Sequence, residues 1–218
     1  MTPEDIRARA VEIAESLVGM SANRADPEAR RAYMDLVAPG ESERRREQLA
    51  TVSGCGLVVA AVWRALGVRA PELEMPYLTG TAVSRLLRIA QRARAWVMFT
   101  TGSLPEPGDA VIVGGGSSGG VEHIYTVIAV SEDEGPTLDS VDGGQRDDDG
   151  AQQILARRRA WEGRSDRVED ASDPGATASG GRLIQGFIDV TRLPIDEERF
   201  AAWSREVEVE SEGEASEI

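Results

Sequence analysis

Apolar residues recur at helical spacing in the first part of the chain. Residues 2–18 carry one apolar stripe, and Thr2-Pro3 before it is typical of a helix start. A second start at Asp26-Pro27 predicts a helix to about Val37. The highly charged residues 41–50 indicate a solvated helical surface or a linker.

Residues 55–66 are apolar on nearly every side, which predicts a buried helix. Their three valines would also suit a strand, but the length and alanine content favour a helix. An amphipathic helix is expected at about 81–95, with its arginines on the face opposite the leucines.

The second half of the chain follows a strand pattern. Strands are predicted at 110–113, 123–130, 137–141 and 182–190, and residues 152–161, which suit a helix by propensity, are interpreted as a strand among strands. Residues 162–181 lack any periodicity and predict a long flexible loop. We therefore expect one α+β domain over 1–203, helical over 1–97 and mainly β over 104–192, followed by an acidic disordered tail at 204–218.

Composition narrows the classes of function. The net charge is −14, and all 24 cations are arginine, so lysine catalysis is excluded and neither a nucleic acid nor an anionic membrane is an expected partner. The chain has one cysteine, Cys55, and one histidine, His123, which excludes an intrachain disulfide and argues against a zinc site. We expect no cofactor and no metal.

The distribution of apolar residues also bears on localisation. No stretch reaches the roughly 18 apolar residues of a membrane span. Residues 1–20 carry charges throughout and have no apolar centre, so we expect no secretory signal. The default expectation is a cytoplasmic protein, with non-classical export as the alternative.

Cys55 stands where a thiol can become a nucleophile. The reactive form is the thiolate, and the N-terminus of a helix favours this anion through its unpaired N–H groups and its dipole. Gly54 and Gly56 flank the cysteine, and we expect them to leave room for a substrate beside the sulfur. The N–H groups of the same turn are expected to stabilise the oxyanion of an acyl-transfer intermediate.

His123 is the one available general base, and a hairpin supplies its partner. A turn centred near residue 133 places position 123 opposite about 142–144, so Asp142 is expected across from or diagonal to His123. A carboxylate there fixes the tautomer and orientation of the imidazole. Gln145 and Asp139 are alternatives for this role.

Three motifs resemble the papain-like cysteine hydrolases of the NlpC and CHAP families. They are S-G-C-G-L-V at 53–58, P-G-D-A-V at 107–111 and E-H-I-Y-T-V at 122–127, within a region of about residues 50–145. The resemblance implies a papain-like fold, in which N-terminal helices include a Cys-bearing helix packed on an antiparallel sheet. It also implies that Cys55 is the nucleophile, His123 the base and Asp142 the orienting residue. By similarity to the wider papain class, Gln48, seven residues before Cys55, is a candidate oxyanion donor.

The function expected from these features is hydrolysis of a peptide or isopeptide amide, in an enzyme of the cysteine peptidase or amidase class. The families it resembles act mostly on cell-wall peptides, so a peptidoglycan stem peptide is one expected substrate. An alternative is a catalytically inactive interaction protein with an acidic surface, which the net charge of −14 favours. A toxin-like effector amidase delivered by another system is a further alternative.

Overall fold

The helical half of the chain begins with two well-capped helices. The computed structural model describes residues 1–50, 54–74, 82–100, 102–114, 121–132, 136–146, 150–168 and 182–201. At the first helix, the Thr2 hydroxyl accepts a hydrogen bond from the Asp5 N–H and the Asp5 carboxylate accepts one from the Thr2 N–H. The helices are α1 Pro3–Ser16, α2 Pro27–Val37, α3 Glu43–Leu49, α4 Cys55–Ala65 and α5 Ala82–Arg92. The helices expected at 2–18, 26–37, 55–66 and 81–95 are confirmed.

The strands form one antiparallel sheet. They are β1 Trp96–Met98, β2 Ala110–Gly114, β3 Val121–Ser131, β4 Thr137–Arg146, β5 Gln152–Glu162, β6 Ser165–Val168 and β7 Arg182–Ile188. Their order is β1-β7-β2-β3-β4-β5-β6, and β6 also pairs with β7. The strands expected in these regions, including 152–161, are confirmed, whereas β1 and β6 were not predicted.

The sequence-based fold class is wrong, because the sheet is not open. The pairing of β6 with β7 closes strands β2 to β7 into a six-stranded antiparallel barrel, with β1 added outside at β7. The expected papain-like arrangement, with a Cys-bearing helix on an open antiparallel sheet, does not describe this molecule. Ser165–Val168 also corrects the loop predicted at 162–181; residues 169–181, and the tail expected at 204–218, lie outside the described residues.

Two apolar clusters lie on opposite faces of the barrel wall. One joins the helices to side chains such as Ile112, Ile124 and Val141, and so packs the helical layer on the outside of β2, β3 and β4. The other fills the barrel interior and is formed by Val111, Val113, Tyr125, Val127, Leu138, Trp161, Ile184 and Phe187. The alternation of side chains along each strand produces these two faces.

The P-G-D-A-V motif has a structural task. Asp109 is buried, and its carboxylate accepts hydrogen bonds from the N–H groups of Glu106 and Val190. The Arg7 guanidinium of α1 lies 2.6 Å from the same carboxylate and 3.0 Å from Asp189. This ion-pair cluster attaches α1 to the barrel. No helix within the described ranges combines the length and apolar character needed to cross a membrane.

Candidate active site

Cys55 is the first residue of α4, the most deeply buried helix. Gly54 precedes the helix, provides no side-chain cap, and its carbonyl accepts the N–H groups of Leu57 and Val58. The first N–H groups of a helix have no partner within it, and the positive end of the helix dipole lies beside them. The sulfur therefore lies in a position that favours a thiolate, although Cys55 is only 4% exposed.

The glycines around Cys55 allow the start of α4 to pack closely against the neighbouring elements. A Cβ at Gly54 would lie 2.6 Å from the Tyr33 hydroxyl, and one at Gly56 would lie 2.6 Å from the Cβ of Ala82. A Cβ at Gly143 of β4 would lie 2.8 Å from the Cβ of Val58 and 2.9 Å from the Gly54 carbonyl oxygen. The start of α4 is thus pressed directly against the strand that carries Asp142.

His123 connects Cys55 with Asp142. The Cys55 thiol is one hydrogen-bond partner of its ring. The ring nitrogen Nε2 lies 2.8 Å from Oδ1 of Asp142. Because Nε2 faces the carboxylate, Nδ1 is the nitrogen left for the sulfur. Thr126 pairs with Val141 across the β3–β4 hairpin, so Asp142 comes one residue beyond that pair, on the side of His123. The structure thus brings Cys55, His123 and Asp142 together, and Asp142 lies beside His123 as the hairpin reasoning expected.

Electrostatics favour a charged imidazole and an ionised carboxylate. Burial opposes the charged form of His123, but hydrogen bonds and charges from Asp142 and Cys55 outweigh it and raise the pKa of His123 above its ordinary value. Burial also opposes the charged form of Asp142 and, acting alone, would raise the pKa of this carboxyl group. The charge of Arg159, together with the hydrogen bond from His123, instead holds the pKa of Asp142 well below its usual range. Asp142 is therefore a fixed anion at neutral pH.

Arg159 belongs to the site, and the sequence analysis did not identify it. It is 2% exposed on β5, and its Nη2 lies 3.0 and 2.8 Å from the two carboxylate oxygens of Asp142. Its Nη1 donates to Asp166 of β6 at 2.8 Å, and its Nε donates to the Ser140 hydroxyl at 3.0 Å. Alternation along the strand was the available signal, because positions 157, 159 and 161 share one face of β5.

The alternative site residues lie elsewhere. Gln48 is exposed on α3, where its side-chain oxygen accepts a hydrogen bond from Arg45 at 2.8 Å. Gln145 is half-buried on β4 opposite Gln153, and Asp139 is half-buried opposite Arg158. His123 takes Asp142 as its partner, so neither alternative is needed for the orienting role.

A comparison with protein families, curated proteins and solved structures found no match for this chain.

Tyr33 of α2 forms one wall of the site. Its ring is buried, and its hydroxyl approaches the backbone at Gly54, directly before the nucleophile candidate. Burial, with a smaller contribution from Cys55, raises the pKa of Tyr33. The hydroxyl therefore stays protonated. Within the described part of the chain, no three His, Cys, Asp or Glu residues are grouped to hold a metal ion.

Taken as chemistry, the arrangement contains a thiol, a base and an anion in series. A proton can pass from the Cys55 sulfur to Nδ1 of His123, and Asp142 stabilises the imidazolium that results. The N–H groups at the start of α4 are the nearest donors for negative charge that develops on a substrate carbonyl. Such a series suits nucleophilic acyl transfer.

Proposed function

We propose that this protein is a cysteine-nucleophile amidase or peptidase that hydrolyses a peptide or isopeptide amide. One observation carries the proposal: the only thiol of the chain begins a helix and hydrogen-bonds the only imidazole, whose other nitrogen faces a buried, ionised carboxylate. The chain of 218 residues has one cysteine and one histidine, and the two lie side by side, as a nucleophile and its general base must in acyl transfer.

The reaction proceeds in two halves. The Cys55 thiolate attacks the carbonyl carbon of the amide, and the carbonyl electron pair moves to oxygen. As this tetrahedral intermediate collapses, the C–N bond breaks, and the imidazolium of His123 gives its proton to the leaving amine. His123 then takes a proton from water, whose oxygen displaces sulfur from the thioester, and the thiol and a carboxylic acid are released.

Peptidoglycan stem peptides are the proposed substrate class. Support comes from the resemblance of three motifs to the NlpC and CHAP hydrolases, which extends to sequence and not to the open-sheet fold. An effector amidase delivered into another cell would use the same residues and the same chemistry.

A catalytically inactive interaction protein is the second candidate. The observation that favours it is burial, since Cys55 is only 4% exposed and a buried cysteine often serves as a small apolar side chain. The net charge of −14 would then direct its surface to a basic partner. This candidate predicts that removing the thiol has no effect on any reaction.

Hydrolysis of defined peptides tests the proposal. A panel of stem-peptide fragments, with α-linked, γ-glutamyl and D-residue amides, is incubated with the full chain, and new amine termini are measured by mass spectrometry. We expect cleavage by the wild type and none above background by Cys55→Ala. Asp142→Asn should lower kcat/KM by about 10³- to 10⁴-fold, because the tautomer of His123 is no longer fixed.

Asp139→Asn is the matched control, because Asp139 lies on the same strand and is half-buried but pairs across from Ala129 and Arg158. Its kcat/KM should stay within about 3-fold of the wild type. Turnover that survives in full in Cys55→Ala would refute the proposal.

A further inference from the structure

We propose that Arg159 is a positioning residue that fixes the charge and orientation of Asp142, and thereby determines which nitrogen of His123 carries the proton. The inference rests on the proposed function, because it assigns a role within the same site. It concerns a side chain that reaches the reacting atoms only through Asp142 and His123. Arg159 is therefore not itself a catalytic residue.

The guanidinium is held on every side. Nη2 contacts both oxygens of Asp142, Nη1 binds Asp166, and Nε donates to Ser140. Its central carbon lies 4.1 Å from the ring centroid of Tyr125, a cation–π distance inside the barrel. The contacts of Nη2 with both oxygens oppose rotation of the carboxylate, so Oδ1 remains directed at Nε2 of His123.

The charges around Asp142 explain why an arginine is needed. Two buried carboxylates, Asp142 and Asp166, share one guanidinium, which leaves one negative charge to balance a protonated His123. The Cys55 thiol, the Tyr125 and Tyr33 hydroxyls and the Ser140 hydroxyl also lie along this chain of contacts, and Arg157 shares the buried face of β5 with Arg159. Without the guanidinium, a carboxylate buried to 0% exposure would pick up a proton in preference to staying charged.

A neutral Asp142 would reverse the tautomer of His123. Its O–H would donate to Nε2, so the neutral ring would carry its own proton on Nδ1, directed at sulfur. A nitrogen that already bears a proton cannot accept one from the thiol. An ionised Asp142 instead accepts the Nε2 proton and leaves Nδ1 open as the base. Arg159 thus selects the tautomer that can activate Cys55.

The chain offers a direct test, because His123 is its only histidine. Protein prepared without a histidine tag and labelled with ¹⁵N-histidine gives the signals of one imidazole, from which NMR reads the tautomer and titration midpoint. We expect the wild type to carry its neutral-form proton on Nε2. In Arg159→Gln, the proton should move to Nδ1, the midpoint should fall by about one pH unit, and iodoacetamide should alkylate Cys55 about 10-fold more slowly at pH 7.

Arg158→Gln is the matched control, since Arg158 is the exposed neighbour on the same strand, and it should retain the wild-type spectrum. Arg159→Lys keeps the positive charge, so the titration midpoint of His123 should lie between that of Arg159→Gln and that of the wild type. Arg159→Gln with Asp166→Asn removes one charge of each sign, and it gives a folded comparison if the single variant unfolds. Because Asp142 then loses every contact with the guanidinium although the net charge of the cluster is unchanged, this double variant should show the same reversed tautomer.

Two results would overturn the inference. One is a wild-type His123 whose neutral form carries its proton on Nδ1, a result that needs no variant. The other is a folded Arg159→Gln or double variant that keeps the Nε2 proton and the wild-type midpoint. Neither result would depend on peptide hydrolysis, so this inference and the proposed function can fail separately.

Discussion

At the scale of single residues, His123 is held between two groups that favour its charged form. Its ring is 5% exposed, with Asp142 on Nε2 and Cys55 as its second hydrogen-bond partner. These contacts raise its pKa against the opposing effect of burial. A group whose pKa is raised by folding stabilises the fold at low pH, and this contribution is lost as the pH rises through the folded-state pKa.

The stability of the fold should therefore depend on His123 in a defined pH range. The free energy of unfolding of the wild type, minus that of His123→Gln, should be largest below about pH 6.5, the unfolded-state pKa. It should then shrink as the pH rises, by about 1.4 kcal/mol for each unit by which the pKa is raised. Urea unfolding between pH 6 and 9 measures the difference.

Asp142 does not titrate in this range, because its pKa is lowered. Its contribution to stability is lost only as the pH falls below about 4. Cys55→Ser serves as the control that keeps the imidazole and removes the thiol. A wild-type advantage that stays constant or grows between pH 6 and 9 would contradict the environment described for His123.

Sequence reasoning identified Cys55, His123 and Asp142 because two of them are unique in the chain and the third follows from hairpin register. It missed Arg159, because that residue lies in a run of three consecutive arginines at 157–159 and nothing in that run distinguishes one arginine from the others. The structure buries Arg157 and Arg159 and exposes Arg158, as alternation along a strand requires. What could not be foreseen was the second inward carboxylate, Asp166, which together with Asp142 makes burial of Arg159 tolerable.

At the scale of elements, the site depends on how closely α4 approaches β4. Gly143 allows this approach, because its missing side chain admits Val58 and the Gly54 carbonyl. A helix displaced by even a fraction of an ångström would carry Cys55 with it. The distance between the Cys55 sulfur and His123 therefore depends on backbone packing at Gly143, which is far from the cysteine in the sequence.

Gly143→Ala should disturb both the fold and the thiol. The added Cβ would lie 2.8 Å from Val58 Cβ and 2.9 Å from the Gly54 oxygen, so α4 has to move. We expect a loss of about 1–3 kcal/mol in unfolding free energy and slower alkylation of Cys55. Combining it with Val58→Ala should recover part of both.

Gly102→Ala is the control for a change of glycine that does not crowd α4. Gly102 has a φ of +86° and nothing within 4 Å of an added Cβ. It should lose about 1 kcal/mol through backbone strain and leave thiol reactivity unchanged. Equal loss of thiol reactivity in both variants would show that packing against Val58 is not what positions Cys55.

Most elements could be predicted because their periodicity is strong. The Thr2 and Asp26 caps mark the beginnings of α1 and α2, and the apolar run at 55–66 marks α4. By contrast, β6 has the sequence S-D-R-V, and its buried Asp166 is paired with Arg159. A strand whose inward residue is a carboxylate shows no apolar alternation, so sequence periodicity cannot reveal it.

At the scale of the whole molecule, this one short strand decides the fold class. The pairs Ser165–Leu183 and Asp166–Arg182 join β6 to β7 and close the barrel. An open sheet was the expectation, because closure depends on a segment that looked like a loop. The same closure brings Asp166 inside, where it holds the far end of Arg159, so barrel and site are stabilised by shared contacts.

The central claim is that the Cys55 sulfur is a nucleophile activated by His123, and its reactivity towards iodoacetamide tests this most directly. Because the chain has one cysteine, the alkylation rate of the whole native protein is that of Cys55. The account predicts rapid alkylation with an apparent thiol pKa well below the ordinary value of about 8.5, which returns towards that value in His123→Ala. A native thiol that resists iodoacetamide at neutral pH, or titrates near 8.5 whether or not His123 is present, would contradict it.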